Sequence, residues 1–248
     1  MELEQRYANA SIIEAIIDLK VESPSDVDLN SLREIQGEVK VDYPIYREIV
    51  VTTGEFQAGP NPTATTSSDS VGHAFSSSDG KLIFQARLDR FSFSQLAPYD
   101  TWMTLQSEAH RLWEIYRSIA KPKCINRVSV RYVNRLDLPV SSSGDLDFKD
   151  YLKTVPEISP DLNQGLSNYF MQLHIPQEDL QANLILNEAI FPQERHDVVS
   201  VLLDLDLFSL IELSSDGDEV WKLLEKFRRR KNKIFEACIT DKTREILK

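Results

Sequence analysis

"INRVSVRYVNRLDL", Ile125 to Leu138, alternates along most of its length. Arg127, Ser129, Arg131, Val133 and Arg135 occupy one set of alternate positions, and Val128, Val130, Tyr132, Leu136 and Leu138 occupy the other. Successive side chains of a strand point to opposite faces of its sheet. The stretch therefore predicts a strand with one apolar face turned to a core and one face carrying three guanidinium groups in a row.

The strand ends in Leu136-Asp137-Leu138, and a matching Ile17-Asp18-Leu19 stands 119 positions earlier. Each ending leads into a serine-rich acidic stretch, "KVESPSDVDLNSL" after the first and "PVSSSGDLDFKDYL" after the second, and then to an apolar helix start. "LDRFS" (Leu88–Ser92) and "LDLFS" (Leu205–Ser209) lie 117 apart, and each precedes a helix bearing a tryptophan, Trp102 and Trp221, again 119 apart. Three collinear matches at nearly one offset predict an ancient duplication. The chain then divides into residues 1–122, with the repeat itself starting near residue 8, and residues 123–248, the two packed as one unit.

Each half reads β-α-β-β-β-α. In the first, Ser11–Val21 is a strand, and "DVDLNSLREIQGEV" is a short helix with Val27, Leu32 and Ile35 inward. Tyr43–Thr52 is a strand, "GPNPTATTSSDS" (59–70) a mobile loop by composition, and "HAFSSSDGKLIFQARL" a hairpin turning at Asp79-Gly80. A helix from about Thr101 to Ile119 repeats apolar residues at steps of three and four. The second half predicts strand Ile125–Leu138, helix Leu146–Leu152, strands around Ser167–Ile175, Ala182–Ile190 and Val198–Phe208, and a long helix from Asp218 to about Cys238. Strands joined by short hairpins, with helices at the ends, imply an α+β fold whose mainly antiparallel sheet is covered on one face. This order of elements resembles the pseudo-twofold saddle of the TATA-binding-protein type. The resemblance implies a curved sheet and fixes no function.

The 248 residues are 42% hydrophobic, enough for a sizeable core without metal or disulfide support. Cys124 and Cys238 have no ligand spacing and are expected as reduced thiols. The opening "MELEQRYANAS" lacks a signal-peptide core, and no apolar run reaches the length of a membrane span. A soluble cytoplasmic protein is expected. Net charge is −11, made up of 11 − 18 = −7 for residues 1–122 and 17 − 21 = −4 for residues 123–248. Such a surface repels phosphate at long range, so general coating of nucleic acid is disfavoured and basic protein partners are favoured.

No phosphate-binding glycine loop, nucleophile elbow or zinc-protease motif is present, and His73, His110, His174 and His196 are dispersed. No cofactor or metal is implied. Two clusters remain as candidate anion or partner sites. Arg127, Arg131 and Arg135 share a face, as do Asp204 and Asp206 in "SVLLDLDLFS". They either pair across neighbouring strands as a ladder or present guanidinium groups to an acidic ligand. "RRRKNK" (Arg228–Lys233) is the second cluster, with its basic groups, Arg228, Arg229 and Arg230 among them, expected outward and Phe227, Ile234 and Phe235 docking the helix. It either complements the helix dipole or contacts an acidic partner, and Glu219, Glu225 and Glu236 partly neutralise it.

"NASIIEA" (Asn9–Ala15), "FSFSQLAPYDTW" (Phe91–Trp102), "RYVNR" (Arg131–Arg135) and "RRRKNKIFEACITDK" (Arg228–Lys242) together resemble a sporadically distributed, uncharacterised bacterial family of similar length. Ser11 stands where that pattern often has proline. The resemblance supplies no catalytic residues, and it implies a defence-related or toxin–antitoxin-like gene setting. The preferred expectation is a non-enzymatic interaction or regulatory module that binds a protein. The alternatives are a phosphorylated-ligand protein or enzyme using the arginine row as an anion clamp, and nucleic-acid binding through the sheet face. A homo-oligomer is compatible with all three.

Overall fold

The computed structural model describes residues 7–60, 63–141, 146–162, 166–191 and 197–248. Its sheet is built outward from one antiparallel pair, β1 (Ile12–Glu22) against β6 (Cys124–Pro139), with Ile17 opposite Val130 and Asp18 opposite Ser129. The alternation of both strands aligns in this register. Ala15, Ile17 and Leu19 lie beside Val128, Val130 and Tyr132 on one buried face.

From β1 the sheet continues through β5 (Arg90–Leu96), β4 (Leu82–Arg87), β3 (Thr63–Ser76) and β2 (Ile45–Gln57). From β6 it continues through β9 (Val198–Ser209), β8 (Ala182–Phe191) and β7 (Phe170–Gln177), while β10 (Leu213–Ser214) adds to the end of β6. All the ladders among the described residues are antiparallel. The protein is α+β with an open, ten-stranded, mainly antiparallel sheet. The β3–β4 hairpin turns where the sequence places it, with Gly80 at φ 71°, a conformation that costs glycine little.

The helices α1 (Leu29–Arg33), α2 (Ile35–Val39), α3 (Trp102–Ala120), α4 (Glu219–Cys238) and α5 (Asp241–Leu247) meet the apolar residues of the sheet. Asp28 caps α1, its carboxylate accepting from the Ser31 backbone, and Leu32, Ile35 and Val39 turn inward. Thr101 caps α3, and Lys121, at φ 45°, ends it. Leu105, Ala109, Leu112, Trp113 and Tyr116 of α3 are buried as one stripe. Trp113 meets Phe91 edge-on at 5.5 Å and stacks on Tyr116 at 5.6 Å. Burying each such ring contributes roughly 1.5–3 kcal/mol, and each aromatic pair about 0.5–1.5 kcal/mol more. The buried Tyr116 hydroxyl donates to the Arg87 carbonyl at 2.8 Å, which offsets its desolvation.

Four expectations are corrected. Residues 59–70 are not a loop throughout. From Thr63 onward they form β3, because threonine and serine leave the backbone free to pair with β2, as Thr65 does opposite Glu55. Leu146–Leu152 is no helix beyond a 3-10 turn at Phe148–Asp150. The following amides bond instead to the end of α4: Lys153 donates to the Cys238 carbonyl at 2.8 Å, and Leu152 bridges Ile239. The two "LDxFS" stretches are not equivalent. Leu88 and Asp89 form the β4–β5 turn and Phe91 is in the core, whereas Leu205–Ser209 lies within β9 with Phe208 on the opposite face. Lastly, α4 does not hold all its basic groups outward: Lys231 is 7% exposed, its ammonium 3.6 Å from the Tyr132 ring centre, and the Arg228 side chain is only 13% exposed.

Candidate functional site: the arginine row

The uncovered sheet face carries the side chains that alternation turns away from the helices. On β6 these are Arg127, Ser129, Arg131, Val133, Arg135 and Asp137. On β9 they are Ser200, Leu202, Asp204, Asp206 and Phe208, and on β1 they include Asp18. Register sets the pairings. Arg131 lies opposite Asp206 and reaches diagonally to Asp204, donating from Nε at 2.8 Å and from Nη2 at 2.7 Å. This bidentate fork matches the planar geometry of both groups. Asn187 of β8 donates to the same carboxylate at 3.0 Å and fixes it from the other side.

Arg127 bridges two carboxylates, Asp18 at 3.1 Å and Asp206 at 2.9 Å, and its guanidinium lies 4.4 Å over the Phe208 ring. Ser129 donates to Asp206, and Arg90 of β5 stands 3.6 Å from Asp18. Burial pushes the Asp18 carboxyl above the usual carboxylate range, against the opposing pull of Arg90 and Arg127. Arg135 donates from Nε to Asp137 at 2.8 Å and to Ser200 at 3.2 Å, with Phe191 5.7 Å below its guanidinium. The structure thus joins Arg127 and Arg131 with Asp204 and Asp206, as their shared phase in the sequence suggests. It adds Asp18, Arg90, Asp137 and Ser200. Asp18 is legible in the sequence as an acid in mid-strand, in phase with Glu14 and Lys20.

Arg131 differs from its neighbours. Its side chain is 45% exposed, and the Asp204 hydrogen bonds hold its guanidinium more firmly charged. Nη1 takes no hydrogen bond among the described residues. The uncovered face is balanced in charge, although the chain is acidic. From β4 across to β9, Lys20, Arg87, Arg90, Arg127, Arg131 and Arg135 are matched in number by Glu14, Asp18, Glu22, Asp137, Asp204 and Asp206.

The basic run on α4 is also internally paired. Arg228 donates to Glu225 at 2.8 and 3.0 Å, and Arg229 to the same carboxylate at 2.8 Å. Arg230 reaches Asp179, and Gln177 at the end of β7, at 2.9 and 2.7 Å. Arg228, Arg229 and Arg230 therefore do not converge on the arginine row, which belongs to the other face. His73 is buried between the Leu29 carbonyl at 2.7 Å and the Tyr46 hydroxyl at 3.1 Å, and His110 packs edge-on against Trp221 at 4.6 Å. His196 lies outside the described residues. Cys124 and Cys238 are free thiols, and burial pushes the Cys238 thiol up to about 11. Among the described residues, no group of His, Cys, Asp and Glu is placed to hold a metal ion, and no helix is long and apolar enough to cross a membrane. No protein-family model matches the chain, and no curated protein matches it.

Proposed function

We propose that the chain is a non-enzymatic interaction module whose uncovered sheet face binds a protein, with Arg131 as the central contact. The observation that carries this reading is the pre-oriented, half-exposed guanidinium of Arg131, held by Asp204 with Nη1 left to donate. A backbone carbonyl or an acidic side chain of a protein suits that donor, and the ordering of the side chain has already been paid. The balance of charge on this face favours a protein over a phosphorylated ligand or a nucleic acid, because each arginine already faces a carboxylate. The strand order, with β5, β4 and β3 outward from β1 and β9, β8 and β7 outward from β6, supports the further proposal of a duplicated unit at the level of elements.

The test is affinity purification of the wild-type chain beside Arg131→Gln and Arg131→Lys. A stoichiometric protein should be retained by the wild type and lost by both variants, since lysine cannot reproduce the planar fork. The loss of affinity should be about 1.5–3 kcal/mol for each charged hydrogen bond removed, with the fold retained and the melting temperature lowered in both variants, because the buried Asp204 loses its bidentate partner. Unchanged retention with a lowered melting temperature would assign the row to stability alone. Co-purifying nucleotide or nucleic acid, seen as a raised ratio of absorbance at 260 to 280 nm, would favour the anion-binding readings.

A further inference from the structure

The outer half of β2 has very little protein around it. β4 pairs with β3 only over Gly72–Ser76, so Val50–Gln57 and Thr63–Ser70 form a two-stranded ribbon beyond the body of the sheet. Val50, Val51 and Phe56 are 52%, 44% and 71% exposed there. A lone two-stranded ribbon is marginal in water, whereas further strands make it stable.

Exposed edges are commonly blunted by proline, lysine, bulges or short length. β2 has none of these. It is thirteen residues long without lysine or proline. The ladder's one irregularity is the extra residue Val71 on β3, so the alternation of β2 runs unbroken. The opposite edge, β7, is eight residues long and carries Pro176.

The charges on β2 select an occupant for this edge. They are Arg47, Glu48 and Glu55. A second β2, antiparallel and centred on Val51, sets Arg47 opposite Glu55, Tyr46 opposite Phe56, and Glu48 opposite Gly54, each twice by symmetry. Moving the centre to Thr52 leaves Arg47 facing Gln57 and Glu55 facing Ile49. Moving it to Val50 leaves Arg47 facing Thr53. We propose that two copies of this chain join through their β2 edges in the Val51-centred register, making one sheet continuous across a twofold axis. This inference does not depend on the uncovered-face reading, because β2 lies at the far edge from the arginine row.

Light scattering and sedimentation equilibrium of the full chain test it, with Arg47→Glu, Glu55→Arg and the double exchange. The wild type should dimerise. Each single variant should weaken the dimer by about tenfold or more, since each replaces two attractive contacts with two repulsive ones. The double exchange should restore it, and an equimolar mixture of the two single variants should form a heterodimer that neither forms alone. Both positions are exposed, Glu55 on the ribbon and Arg47 where β2 borders the body of the sheet, and a thermal melt of each variant checks that the body stays folded. A wild type that stays monomeric up to about 1 mM would overturn the proposal. So would a dimer indifferent to the single exchanges, or one that the double exchange fails to restore.

Discussion

Glu188 belongs to the covered face of β8, 1% exposed, and its carboxylate accepts from the Tyr169 hydroxyl at 2.7 Å. Burial outweighs that hydrogen bond and raises the carboxyl from 4.5 to about 7. The folded chain therefore keeps a proton that the unfolded chain has already lost between those values. Stability from this residue is full below about pH 4.5, falls as pH rises through 7, and then levels off, by an amount on the order of 3 kcal/mol. Glu188→Gln retains an acceptor for Tyr169 without titrating. Its melting temperature should exceed the wild type's at pH 8, and the gap should close near pH 4.5. Parallel curves across a pH series of melts would contradict this. Both Glu188 and Lys231 were legible from spacing. Glu188 is in phase with Leu184 and Leu186, and Lys231 falls on the stripe Val220, Leu224, Phe227 and Phe235. Their polar character hides an inward position, and the basic run around Lys231 masks its helical phase. The arginine row was readable for the converse reason: between Arg127 and Arg131 polar and apolar residues of β6 alternate, so phase and chemistry agree.

At the scale of elements, strands whose two faces differ in polarity were found close to their true bounds, and the β2–β3 ribbon was not. Its β3 strand is hydroxylic on both sides, so neither alternation nor apolar content marks it, and β2 continues to Gln57, five residues past the expected strand end at Thr52. The ribbon leaves the sheet at Gly72, just past the extra residue Val71. A Cβ at Gly72 would stand 2.6 Å from both the Ala86 carbonyl oxygen and the Arg87 Cγ. Backbone cannot yield as a flexible side chain does, so β3 and β4 would have to separate. Gly72→Ala should cost about 1–3 kcal/mol in denaturant unfolding. Gly54→Ala, on the ribbon with nothing within 4 Å, should change stability by no more than about 0.5 kcal/mol. Equal effects at the two sites would show that the close approach to β4 is not what requires glycine. The missing helix at Leu146–Leu152 has a different cause. Its short apolar pattern is real, but Tyr151 and Leu152 are buried against Ile239 and Thr240, contacts nearly ninety positions away that no local reading reveals.

Over the whole molecule, the two halves of the chain are bound too closely to act as separate domains. β1 and β6 pair at ten positions across the divide, and each is the strand that the other half needs to cover its inner edge. The helices cross the divide as well. Gln106 of α3 donates to the Trp221 carbonyl at 3.3 Å, His110 packs on the Trp221 ring, and Tyr99 and Tyr132 join through their hydroxyls at 3.0 Å. On the other face, Arg127 ties Asp18 of the first half to Asp206 of the second. Residues 1–122 alone would expose the edge of β1 and the apolar side chains packed near Trp221, and residues 123–248 alone would expose β6. A chain of about this size buries enough surface as one unit, whereas each half loses a shared core on separation. Cutting the chain between Lys121 and Lys123, where α3 turns out through the left-handed Lys121, should leave the two fragments associated. Prepared separately, neither should unfold cooperatively, and mixing them should recover the near-ultraviolet dichroism of the intact protein. A cooperative melt from either fragment alone would mean that the central β1–β6 seam joins two self-sufficient domains rather than the interior of a single one.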